Sequence, residues 1–175
     1  MTTVINLYGG PGTGKSTTAA HLFALFKQEG RNVELVTEYA KDKVWEKSFD
    51  VLGNQVYVLG KQYHRMYRLL GKTDYIITDS PLLFSLYYGK HLGDNFKNLV
   101  LELYRSMDNI DIFLTRVKKY ELVGRMQTEE QARLIDGEIK YILNQNNISH
   151  QVIAATKHAA NDIFSCLNGV ETWLR

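Results

Sequence analysis

Residues 9–16 read Gly-Gly-Pro-Gly-Thr-Gly-Lys-Ser, the pattern Gly-x-x-x-x-Gly-Lys-Ser/Thr with every fixed position filled. An apolar run, Val4-Ile5-Asn6-Leu7-Tyr8, precedes the octet, and a helix-forming stretch, Thr17-Thr18-Ala19-Ala20-His21-Leu22-Phe23, follows it. A strand that turns through glycines straight into a helix leaves few folds open. Glycine lets the backbone carry several N–H groups toward one anion, and the helix N-terminus adds partial positive charge at the same place. A plain glycine-rich turn would match neither the full octet nor its flanks. The octet therefore predicts a nucleoside triphosphate site built from Gly10, Gly12, Thr13, Gly14, Lys15, Ser16 and Thr17. Lys15 would reach the β- and γ-phosphates of ATP, and the Ser16 hydroxyl would take one position on Mg²⁺.

A chain of 175 residues is long enough for one domain with a real core and short for two, so residues 1–175 are expected to form a single domain. Hydrophobic residues at 45% and charged residues at 23% are ordinary for a globular protein. A net charge of +2 falls short of the basic excess that would by itself argue for nucleic-acid binding. The lone cysteine, Cys166, excludes an internal disulfide and a cysteine-based zinc site, and its apolar surroundings predict a core position. Nothing reads as a signal peptide, and no run approaches the ~20 apolar residues of a membrane span. A reducing, ATP-rich cytoplasm is the expected location.

Short apolar runs alternate with helical patterns along the chain, which predicts parallel β-α units in one sheet. Strands are expected near 3–8, 33–37, 74–78, 110–115 and 149–154. Helices are expected near 15–29, 54–71, 81–90, 95–107, 128–146 and 158–174, with a short one near 39–47. Gly30 and Gly71 suit helix C-termini, Asn54 suits an N-cap, and Thr128-Glu129-Glu130-Gln131 is a capping box. The pattern predicts an α/β protein, a three-layer α/β/α sandwich with ligands at the carboxyl ends of the strands.

Residues just past those strand ends are the candidate walls of the site. The second strand ends in Glu38-Tyr39, the third in Asp79-Ser80-Pro81, and the fourth in Arg116. Phosphoryl transfer needs a metal ligand, a group that orients or deprotonates the acceptor, and cations on the migrating group. Asp79 follows four apolar or β-branched residues, where a Mg²⁺-coordinating or acceptor-activating carboxylate belongs; the plain alternative is a helix cap ahead of Pro81. Glu38 is a second candidate base, against a solvated acid opening the short helix with Lys41 and Lys43. The two are left open as catalytic base. The basic stretch from Arg116 through Lys118, Lys119 and Arg125 into the capped helix with Arg133 predicts a lid near 116–133. Lys15, Glu38, Asp79 and Arg125 are the candidate catalytic set, with Arg116 and Arg125 also on ATP.

On the helix near 54–71, Gln55, Leu59, Gln62 and Met66 share one stripe. Gln62 can pair with a base edge, and Tyr39 and Arg65 extend the same acceptor wall; a two-sided packing helix is the alternative. No histidine has a second ligand at metal-binding spacing, so His21, His64, His91, His150 and His158 receive no metal role. The turn Ala154-Ala155-Thr156-Lys157-His158 is where an adenine ring would lie.

With these residues in hand, the chain resembles the P-loop nucleoside and nucleotide kinases, closest to nicotinamide-riboside-kinase-type domains and small bacteriophage ATP-binding kinases. The resemblance covers almost the whole chain: the loop, Glu38-Tyr39, the helix around Gln62, Asp79, the segment through Arg125 and the final strand–helix pair. It implies strand order 2-3-1-4-5 and transfer of the ATP γ-phosphate to a hydroxyl or phosphate of a nucleoside-like acceptor. Asp79-Ser80-Pro81 lacks the arginine that deoxynucleoside and thymidylate kinases carry after that acid, so acceptor identity does not carry over. Nucleosides, nucleotides and a hydroxymethylated base within DNA all stay open, the last needing a basic groove around Lys90, His91, Lys97 and Lys118-Lys119. A homodimer is also open. A GTPase is disfavoured by the lack of an Asn-Lys-x-Asp motif. A motor ATPase is disfavoured because Ser80, not Glu, follows Asp79.

Overall fold

The computed structural model describes residues 1–117, 120 and 128–171. Five parallel strands, β1 (Thr3–Tyr8), β2 (Val33–Val36), β3 (Tyr75–Thr78), β4 (Asp108–Thr115) and β5 (Gln151–Ala154), form one sheet in the order β2-β3-β1-β4-β5. β1 lies at the centre, with Val4 level with Ile76 of β3 and Asn109 of β4. The expected strand order and boundaries hold to within a few residues. β1 is buried along nearly its whole length because helices cover both of its faces.

Alternation along β1 divides the core. Val4 and Tyr8 join Leu59, Met66, Val100, Phe113, Ile139 and Leu143 in one cluster; Ile5 and Leu7 join Leu22, Phe26, Ile112, Ile163 and Leu167 in another. The helices supplying these residues are α1 (Lys15–Gln28), α4 (Gln55–Tyr67), α6 (Asp94–Arg105), α7 (Glu129–Gln145) and α8 (Ala159–Glu171). The result is the three-layer sandwich that the sequence predicts.

Local signals place the helix ends. Gly30 is left-handed (φ 71°), and the Arg31 N–H to Phe26 O and Gly30 N–H to Lys27 O bonds close α1 as a Schellman motif. Asn54 accepts from the Tyr57 N–H at the start of α4, and both halves of the Thr128–Gln131 capping box are formed at α7.

Three expectations change. The helix near 81–90 is only α5 (Phe84–Tyr88), followed by a 3₁₀ turn at Lys90–Leu92. Pro81 starts a turn that the Phe84 N–H closes, and Gly89 sits where a Cβ would stand 2.3 Å from the Phe96 ring. The short helix expected near 39–47 is α2 (Tyr39–Trp45), but a second short helix, α3 (Phe49–Gly53), follows it and was not expected. α3 spans five residues, too few to show helical periodicity. Cys166 is exposed, one position before the core residue Leu167, because Ile163 and Leu167 define the buried stripe of α8.

Candidate active site

The glycine-rich loop joins β1 to α1 at the carboxyl edge of the sheet. Gly9, Gly12 and Gly14 hold φ values of 138°, 76° and 103°, a region that side chains disfavour. Thr13 is buried and donates its hydroxyl to Gly10 O (2.9 Å), so its side chain braces the loop. The Lys15 ammonium donates to Gly9 O (2.6 Å) and Gly10 O (3.0 Å), which uses two of its three protons and leaves one for a phosphate. Ser16 and Thr17 are exposed in the first turn of α1.

Glu38 and Asp79 converge on Lys15. Burial lowers the Lys15 ammonium, and the nearby carboxylates of Glu38, Asp79 and Asp136 oppose that shift. Burial likewise raises the Glu38 carboxyl above its usual range, with Lys15 pulling it back and Asp79 pushing the same way as burial. Neither acid caps a helix. Glu38 precedes α2 with extended backbone and no side-chain cap bond, and the helix after Asp79 begins only at Phe84. Asp79 is 4% exposed, and its Oδ1 has no hydrogen-bond partner among the described residues. A buried carboxylate oxygen left bare is costly unless something else binds it.

The bare Asp79 oxygen and the exposed Ser16 hydroxyl are oxygen donors of the kind that suits Mg²⁺. Among the described residues no cluster of three or more His, Cys, Asp or Glu stands ready to hold a metal alone. Mg²⁺ fits such a sparse all-oxygen set because it keeps water and phosphate oxygens as most of its ligands.

The acceptor wall is organised differently from the expectation. Gln62 is buried, its Oε1 accepts from the Tyr39 N–H (2.9 Å), and its Nε2 donates to Thr37 O (3.4 Å). Its amide therefore fastens the turn that carries Glu38, where a base-pairing role had been expected. Arg65 binds Thr37 O (3.1 Å), pairs with Asp42 and lies 5.3 Å from the Tyr39 ring. Tyr39 is itself buried, beside Tyr57 at 6.0 Å. The sequence missed Tyr88 of α5, a residue 42% exposed overall, whose hydroxyl is pushed up first by desolvation and then by the charge of Glu38.

On the donor side, Gly14, Thr17, His21, Ala155, Thr156 and Lys157 line a cleft of about 140 Å³. This joins the loop to the turn expected to hold adenine, and His21, expected to be structural, is exposed on its wall. The Arg116 side chain is buried at the loop and bonded to Asp136 of α7, a residue the sequence did not single out because its partners lie far away along the chain. Arg133 is paired with Glu129 at the surface (2.8 Å). Arg125 and most of the expected lid, residues 118–119 and 121–127, lie outside the described residues.

Comparison with known proteins agrees with this fold. A family model described as an AAA domain matches residues 4–160. No curated protein matches the sequence. Among solved structures, NadR protein in complex with NR aligns over 94% of this chain and 51% of its own, with a TM-score of 0.67 at 17% identity. NadR protein in complex with NAD and AMP-PNP aligns over 94% of this chain and 49% of its own, with a TM-score of 0.68 at 16% identity. The chain thus spans about half the length of NadR. Deoxyadenosine kinase from M. mycoides, with dCMP and dCDP bound, aligns over 95% of this chain and 99% of its own, with a TM-score of 0.57 at 18% identity. Among the described residues no helix is long and apolar enough to cross a membrane. The family match spans most of the sequence, so the chain belongs to this AAA-domain family, with the P-loop nucleoside-kinase-like fold of its structural neighbours.

Proposed function

We propose that the protein is an ATP-dependent kinase that transfers the γ-phosphoryl group to a hydroxyl of a nucleoside- or nucleotide-class acceptor. The observation that carries this reading is the meeting of Lys15 with Glu38 and Asp79, where Asp79 Oδ1 is buried and bare. A donor site alone would need no carboxylate from the second strand. The ligands named for NadR and deoxyadenosine kinase support a nucleoside-like acceptor.

In this mechanism the loop N–H groups and Lys15 bind the triphosphate and stabilise charge on its oxygens. Mg²⁺, with Ser16 and Asp79 among its ligands, would supply further charge neutralisation. Glu38, or Asp79 in its place, orients the acceptor hydroxyl and takes its proton onto a carboxylate oxygen. The acceptor oxygen bonds to the γ-phosphorus, the bond to the β–γ bridging oxygen breaks, and ADP leaves. Gln62 and Arg65 hold the Glu38 turn while this happens.

A second reading, transfer to a hydroxymethylated base within DNA, is favoured by one feature. Near Glu38 the surface exposes Trp45 (68%), Phe49 (47%) and Tyr57 (44%), with Lys41 and Lys61 also exposed on these helices and Lys47 exposed in the turn between α2 and α3. Aromatic faces with cations are what single-stranded nucleic acid stacks on.

The deciding experiment incubates the protein with labelled ATP and Mg²⁺ against nucleosides, nucleoside monophosphates, nicotinamide riboside, and DNA with and without hydroxymethylated bases. Label is expected in one acceptor class, and Lys15→Ala should abolish it. ATP hydrolysis that no acceptor accelerates would overturn the kinase reading in favour of a regulatory ATPase.

A further inference from the structure

Asp136 sits on α7, outside the loop and outside every motif in the sequence, yet its carboxylate touches the loop backbone. Its Oδ1 accepts from the Gly10 N–H (2.5 Å), and its Oδ2 accepts from Arg116 Nε (3.2 Å) and Nη2 (3.0 Å). The approach requires glycine: a Cβ at Gly10 would stand 2.6 Å from Ala132 O and 2.7 Å from Asp136 Oδ1. The pair is largely withdrawn from water, the Arg116 side chain being 4% exposed and that of Asp136 20%. The remaining guanidinium nitrogen, Nη1, is buried and has no partner among the described residues. It lies 3.2 Å from where a Cβ of Gly12 would be, directly against the loop.

We propose that Asp136 is a positioning residue for the triphosphate site, holding the Gly10 amide and the Arg116 guanidinium so that Nη1 is left for a phosphate oxygen. This rests on the reading of the loop as an ATP site. Two of the donor groups of Arg116 are committed to one carboxylate oxygen, so the planar fork cannot swing to bring Nη1 elsewhere. A buried donor without a partner is a standing cost that a phosphate oxygen removes, and a charged pair makes that bond strong. Asp136 also keeps an arginine buried beside Lys15 from destabilising the free protein by like-charge repulsion. The carboxylate therefore acts through Arg116 and Gly10 and touches no substrate itself.

The test is equilibrium binding of ATP and of adenosine, by competition with a fluorescent ATP analogue, to the wild type, Asp136→Asn, Arg116→Met and the double variant. Each single change should weaken ATP about tenfold, the size expected from one charge-assisted bond. The double variant should be no weaker than the worse single one, and adenosine affinity should be unchanged throughout. Multiplying single effects, equal losses for ATP and adenosine, or Asp136→Asn binding like the wild type would each overturn the proposal. If melting shows that Asp136→Asn does not fold, Asp136→Glu keeps the charge and replaces it. It should lose part of the ATP affinity and none of the adenosine affinity, and wild-type behaviour or a loss of both would overturn the proposal. A wild type that binds no ATP would sink the triphosphate reading itself, a separate result from a wild type that binds ATP with uncoupled variants.

Discussion

Asp79 and Asp111 are both buried aspartates of the central sheet region, 4% and 6% exposed, and burial does not tell them apart. Their partners do. Asp111, inside β4, accepts from Asn6 Nδ2 (3.1 Å) and the Tyr8 hydroxyl (2.9 Å) on Oδ1, and from the Tyr104 hydroxyl (2.5 Å) on Oδ2. It knits β1, β4 and α6 together. Asp79, one residue past β3, leaves Oδ1 bare. A satisfied buried carboxylate is a structural device, while a bare one is a cost the fold carries for something that arrives later. The sequence shows both as an acid beside apolar strand residues, and only the donors around each separate anchor from site.

The comparison breaks most sharply under substitution. Asp79→Asn should lower phosphoryl transfer by about 10²–10³-fold, the effect of removing one preorganised charge from such a site, with the melting temperature unchanged. Asp111→Ala should do the reverse. It strands the buried Tyr8 and Tyr104 hydroxyls, while Asn6 Nδ2 keeps Asn109 Oδ1 (3.0 Å), and should destabilise the protein by about 2–5 kcal/mol, with the activity of the folded fraction near wild type. Chemical denaturation and acceptor-dependent label transfer on the same preparations check both. A large stability loss in Asp79→Asn would place the two acids in one class.

Titration sharpens it next. Glu38 and Asp111 are both raised by burial, above 4.5 and 3.8 respectively. Glu38 accepts a proton only when ionised, so kcat/KM should fall tenfold per pH unit as pH drops below its raised value. Asp111 acts on stability instead. Its folded form binds the proton more tightly than the unfolded chain does, so its contribution is full at low pH and fades as pH rises through the raised value. The stability of the wild type relative to Asp111→Asn should therefore grow on acidification through the window just above 3.8. A flat difference across that window would remove the titration from Asp111.

The fold was legible because its signals are local. The loop octet, the buried strands, Gly30, Asn54 and the Thr128 box each act within a few residues of chain. The site was legible only where it follows a strand end, as with Glu38, Asp79 and Arg116. Asp136 and the bonding of Gln62 depend on contacts 126 and 23 residues apart, which no local pattern encodes. Gln62 illustrates the limit: its position on the acceptor side is readable, but not that its amide faces the backbone. Gln62→Leu should cost about 1–2 kcal/mol, from the stranded Tyr39 N–H, and raise the acceptor KM while leaving ATP affinity alone. A weakened ATP affinity would mean that the acceptor wall and the loop are one unit.

Arg133 gives the smallest expected effect and tests the opposite end of the comparison. As a cation of the capped helix that ends the predicted lid, eight residues after Arg125, it looked equal to Arg116. Arg116 is withdrawn from water against a carboxylate that also holds the loop, whereas Arg133 is 62% exposed and meets Glu129 four residues before it on the same helix. Such surface pairs contribute little, because water screens the charges and two long side chains lose freedom to meet. Arg133→Ala should change stability by less than about 0.5 kcal/mol and leave the affinity for ATP unchanged. A tenfold loss of ATP affinity in that variant would mean that Arg133 leaves Glu129 for the nucleotide, and that exposure in the free protein does not separate structural cations from functional ones here.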